Sequence, residues 1–117
     1  MKVRVAVTTL ATFAVLAWAG AAFAQDKAQI DKGMKAYDTY KCSLCHSVAG
    51  KGNAKGSLDG VGTKLKAEEI KSWLLTPKEM TAKTKATRVP AMMANATLAK
   101  NAEDVDALVA YMLSLKK

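Results

Sequence analysis

Both cysteines of the chain and its only histidine fall within five residues, Cys42-Ser43-Leu44-Cys45-His46. Few arrangements constrain a fold more, because each chemistry open to thiols and imidazole makes its own demand on spacing. A structural disulfide between cysteines two residues apart closes a tiny loop and gains little from closing it. Structural zinc takes four ligands, usually Cys and His, and this chain offers three of those types. A thioredoxin-like redox pair belongs near a βαβ pattern, which the sequence lacks. Cys-x-x-Cys-His is instead the spacing of covalent haem attachment. Two thiols about one helical turn apart can meet the two vinyl groups on one edge of a porphyrin, and the adjacent imidazole can then reach the iron. The expectation is one haem c, bonded to Cys42 and Cys45, with His46 on the iron.

The beginning of the chain has the form of an export address. Lys2 and Arg4 form a positive start, Val5 to Gly20 is almost wholly apolar, and Ala22-Phe23-Ala24 has the small-x-small pattern of a signal peptidase site. We expect a cleaved signal peptide over residues 1–24 and one domain over 25–117, located in the periplasm. A retained anchor is the alternative, since Val5 to Ala24 is just long enough to span a bilayer; the cleavage pattern favours removal, with no stable membrane insertion afterwards. Of 117 residues, 93 then remain, few for a self-sufficient apolar core, so a bound cofactor is expected to complete it.

The leader takes two of the 18 basic residues and none of the 10 acidic ones, leaving a net charge of +6. That balance suits an acidic protein partner or an anionic surface. Nucleic acid is not expected outside the cytoplasm, nor is there a dense basic run interleaved with aromatics.

No repeat, long linker or convincing strand pattern interrupts residues 25–117, so the fold class expected is all-α. Ile30, Met34 and Tyr37 mark an amphipathic helix from Asp26 to about Tyr40, running into the cysteine pair. Gly33 in its interior is either tolerated, at about 1 kcal/mol relative to alanine, or lets this helix cross the last one near Ala110 and Tyr111. Five glycines from Gly50 to Gly62 mark an irregular loop able to pass close to a flat ligand. Ala67 to Thr76 is expected as a short helix with Ile70, Trp73 and Leu74 on one face and Pro77 as its stop. From Pro77 to Lys100 a loop is expected, with room for a helical turn or two in its first half. Asn101 caps the clearest helix, which carries Val105, Leu108, Val109 and Met112 on one stripe.

In this order the pieces resemble the small monohaem class I cytochromes c of bacteria: Gly33 and Tyr37, Cys42-Ser43-Leu44-Cys45-His46, Leu58-Asp59-Gly60-Val61-Gly62, Trp73 to Pro77, the Pro90 segment and Leu108-Val109-Ala110-Tyr111-Met112. The attachment motif is the specific part. The resemblance implies an all-α fold whose first and last helices cross, with the haem in an apolar crevice. It also implies a methionine beside a proline as the second axial ligand. Of six methionines, Met1 leaves with the leader, while Met34 and Met112 lie on apolar helix stripes as core. Met92 is the expected ligand, with Met93 and Met80 as rivals; relatives that carry the ligand directly before the proline have it where Val89 stands here.

The family's loop proline, whose carbonyl orients the ligand imidazole, is replaced by Ser57 or Leu58, so another carbonyl is expected to take that part. Trp73 and Tyr111 are expected as packing residues, and Tyr37 and Tyr40 as packing or propionate partners. Lys41, Lys51, Lys55, Lys64, Lys66, Lys78, Lys83, Lys85 and Arg88 flank the crevice segments, as a steering rim for redox proteins with acidic docking surfaces or as ordinary solvated surface.

The function expected is that of a monomeric single-electron carrier, not an enzyme, since no second histidine and no nucleophile–base pair is present. Two rivals stand beside it: a haem with an open or displaceable sixth site that binds a gas or handles peroxide, and an electron-entry subunit of a larger oxidoreductase.

Overall fold

The computed structural model describes residues 18–117, with side chains from Asp26 onward. Most of the leader expected over residues 1–24 lies outside the described residues. Helix α1 spans Trp18–Thr39, so backbone helix crosses the expected cleavage junction. Among the described residues no helix is long and apolar enough to cross a membrane.

Among the described residues, six helices and one minimal hairpin follow one another. After α1 come a 3₁₀ turn at Cys42–Leu44, strands β1 (Ser47–Val48) and β2 (Lys51–Gly52), and a second 3₁₀ turn at Ala54–Gly56. Helices α2 (Val61–Lys64), α3 (Ala67–Leu75), α4 (Pro77–Thr84), α5 (Ala96–Ala99) and α6 (Ala102–Ser114) complete the chain. The fold is all-α, as the sequence indicates. The glycine-rich stretch is more ordered than a plain loop: β1 and β2 pair antiparallel, Ser47 opposite Gly52 and Val48 opposite Lys51.

The core is the crossing of α1 and α6. A Cβ built on Gly33 would stand 2.6 Å from Tyr111 Cβ and would collide with the backbone carbonyl of Ala107. The glycine is therefore what allows the crossing, and the contact falls on Ala107 and Tyr111 rather than on Ala110. Ala36, Tyr37, Val105, Leu108, Tyr111 and Met112 are buried around it, and the Tyr37 and Tyr111 rings meet edge to face at 5.8 Å. Tyr40 Oη donates to Asp104 Oδ2 at 2.7 Å, closing the crossing with a polar tie. That bond commits Tyr40 to the helix pair.

Met34 is not core: it is 48% exposed. With Gly33 at the contact, its successor is rotated by about 100° around the helix and faces solvent.

Local signals set the remaining ends. The Asn101 side chain accepts from the Asp104 N–H at 3.2 Å, as an N-cap does. The Lys66 N–H donates to Glu69 Oε2 at 2.8 Å at the start of α3. Pro77 does not stop the chain's helical course; it occupies the first turn of α4, where a missing N–H costs nothing and the fixed φ suits a helix. Asn95 accepts from the N–H groups of Thr97 and Leu98 and so caps α5, a helix in a stretch read as loop.

Candidate functional site

The attachment motif begins where α1 ends. Lys41 takes a left-handed conformation, φ 53°, and turns the chain out of the helix into the 3₁₀ turn of Cys42–Leu44. The His46 N–H then donates to the Cys42 carbonyl at 2.9 Å. This folds the five-residue motif into a compact turn with both thiols free.

Beside the turn lies a cavity of about 260 Å³. Cys42 and His46 line it from the motif, Tyr37 from α1, Leu58, Val61 and Leu65 from the glycine-rich region, and Ile70, Trp73 and Leu74 from α3. Thr81 of α4, then Ala86, Arg88, Ala91 and Met92, and Leu108 and Met112 of α6 complete the lining. The walls are almost wholly apolar. Cys45 is exposed and is not among the lining residues, so of the two thiols Cys42 faces inward and Cys45 stands outside the lining.

His46 is held in place. Its Nδ1 lies 2.9 Å from the Gly56 carbonyl oxygen, which fixes the N–H on Nδ1 and leaves Nε2 as the nitrogen free to ligate. The orienting carbonyl, expected but not assigned from sequence, is that of Gly56. Burial lowers the imidazole pKa below its ordinary value, the Gly56 bond opposes this, and the Arg88 charge adds to the lowering. The neutral ring, the form a metal requires, is favoured. Burial likewise raises the Cys42 thiol pKa.

The three candidate methionines separate cleanly. Met92 lines the cavity. Met93, its neighbour in sequence, is 82% exposed and borders a shallower surface groove together with Met92. Met80 is buried in α4 but is not on the cavity wall. Val89, at the position directly before the proline, is 87% exposed.

Two residues behave differently from the sequence reading. Trp73, expected as a packing residue, lines the cavity and is not among the residues packed against the α1–α6 core. Arg88, counted with the exposed cations, is half-buried, lines the cavity, and donates from its guanidinium to the Cys45 carbonyl. The remaining eight lysines of the expected rim are exposed.

The donor set fits a covalently attached haem. One thiol, one imidazole with a free nitrogen and one thioether line an apolar space, and the second thiol stands just outside it on the same turn. Tyr37, which also lines the cavity, has a buried hydroxyl without a partner among the described residues, and burial pushes its pKa up to about 12, with Cys42, Tyr111 and Asp38 adding to the rise.

The family model described as Cytochrome c matches residues 30–116. No curated protein and no solved structure matches the chain.

Proposed function

Because the chain belongs to the cytochrome c family, we propose that it is an exported carrier of single electrons in which His46 and Met92 are the two axial ligands of its haem iron. The family binds haem c covalently, and Cys42 and Cys45 have the spacing of its attachment pair. When bound, the group supplies a one-electron ferric/ferrous couple whose potential rises with a thioether ligand.

The chain's own residues do the rest. His46, oriented through Gly56, presents Nε2. The apolar walls from Leu58, Val61, Trp73 and Leu74 exclude water and disfavour the more highly charged ferric state. Met92 fills the remaining position, which turns the site toward electron transfer and away from ligand chemistry. The observation that carries the reading is that Met92, unlike Met80 or Met93, lines the cavity with His46.

The test is the visible spectrum of the ferric and ferrous protein. Wild type is expected to show the weak red charge-transfer band of thioether-ligated ferric haem, and Met92→Ala to lose it. A band that survives the substitution excludes Met92. A wild type without the band whose ferrous form readily takes up carbon monoxide supports an open sixth site instead.

Export rests on the leader of residues 1–24, which we propose is removed in the periplasm. The isolated protein is then expected to have the mass of residues 25–117 plus one haem; an unprocessed mass excludes the soluble form. The exposed lysines on the segments that supply the cavity walls suit an acidic docking surface on a partner protein, an attraction that salt screens over about 8 Å at physiological ionic strength. Collisional exchange of this kind needs only a monomer.

A further inference from the structure

The segment that carries Met92 has no regular structure of its own to hold it. Between α4 and α5 the chain has no helix or strand. Among the described residues, the only hydrogen bond joining residues 87–94 to the rest of the chain is the one from Arg88 to the Cys45 carbonyl. Its partner is the second attachment cysteine, 43 residues earlier.

The guanidinium also lies over Gly56. A Cβ on that glycine would stand 2.8 Å from Arg88 Cζ, so the side chain has its place because position 56 has none. Gly56 is the residue whose carbonyl orients His46. A single side chain from the Met92 segment therefore meets both the attachment turn and the residue that sets the imidazole.

We propose that Arg88 is a positioning residue that latches the Met92 segment onto the attachment turn and so keeps the thioether at the iron. This rests on the assignment of Met92 as axial ligand. A hydrogen bond from a charged donor is stronger than a neutral one. Without it, the segment is free to swing out, and the state in which the sixth position is open becomes more populated. An added ligand that captures the open state then binds with higher apparent affinity in proportion to that population.

The test uses the haem-loaded ferric protein titrated with imidazole, following loss of the thioether charge-transfer band. Arg88→Met, which keeps an unbranched apolar stem but loses the charge and the donors, is expected to bind imidazole about tenfold more tightly than wild type. Arg88→Lys, which keeps the charge and a point donor, is expected to fall between the two. The guanidinium chloride unfolding midpoint is expected to change far less than the imidazole affinity. An unchanged imidazole affinity in Arg88→Met overturns the latch, as does an effect accounted for by a loss of global stability. The two readings fail differently: a band retained in Met92→Ala removes the ligand assignment and the latch together, whereas a band lost in Met92→Ala with unchanged affinity in Arg88→Met removes the latch alone.

Discussion

Gly33→Val is expected to destabilise the haem-loaded protein by about 3 kcal/mol, the upper part of the range for overpacking a tight core, and to lower its thermal midpoint by roughly 15 °C. Helix propensity alone gives the opposite sign for the smaller change to alanine, which gains about 1 kcal/mol over glycine in a helix interior. The crossing decides against it. Even a single Cβ at this position meets Tyr111 Cβ at 2.6 Å and runs into the Ala107 carbonyl. A backbone carbonyl inside α6 cannot rotate away, so relief requires the two helices to separate, and that loosens the edge-to-face pair of Tyr37 and Tyr111 and the bond from Tyr40 to Asp104. Gly33→Ala is thus expected to melt lower than wild type and Gly33→Val lower still, measured by circular dichroism on the haem-loaded protein. An alanine variant that melts higher would show that the helices do not depend on a bare backbone at this point.

That crossing was half legible in the sequence. A glycine inside an amphipathic pattern signals either tolerance or close approach, and nothing local separates the two. Once Gly33 is at the contact, Met34 must turn outward, which inverts its expected place on the apolar stripe. The helix ends were legible where a cap and a long periodic run coincide, as at Asn101. Asn95 carries the same capping chemistry, but α5 is four residues long, too short for periodicity to register. Pro77 was ambiguous for another reason: proline is as much at home in the first turn of a helix as after the last turn of one, and here it follows α3 and begins α4.

The site divides along similar lines. Cys42, Cys45 and His46 are contiguous, so the motif announces itself. The acceptor for His46 does not, because every residue has a carbonyl and only the path of the chain brings that of Gly56 within 2.9 Å. Arg88 reads from sequence as one more surface cation; its inward course depends on the missing side chain of Gly56, a pairing that no local pattern records. Met92 and Met93 are adjacent on a segment without regular structure, so periodicity cannot rank them, and only packing puts one on the cavity wall and the other in solvent.

The largest effect is expected from removing the attachment pair itself. A Cys42→Ala, Cys45→Ala variant is expected to carry no haem that survives denaturing extraction and to lose most of its helical circular dichroism when haem is absent. Covalent capture is lost because neither thiol remains to form a thioether. Loss of the fold follows from the cavity. Without haem the apolar walls of a cavity of about 260 Å³ stay uncovered, and the burial they would gain, about 25 cal/mol per Å², is lost from a total stability of only about 5–15 kcal/mol for a folded domain. The walls come from α1, α2, α3, α4, α6 and the loops between them, so no single element can close the gap without leaving its neighbours. Collapse would bring in Leu58, Trp73 and Leu74 at the expense of the α1–α6 core, and a chain with so small a core has little margin for the exchange. Intact-mass analysis reads the attachment, and a thermal scan reads the fold. A double variant that contains no haem yet melts cooperatively near the wild-type temperature would show that the polypeptide folds without its cofactor, and that the cavity walls hold their positions by protein contacts alone.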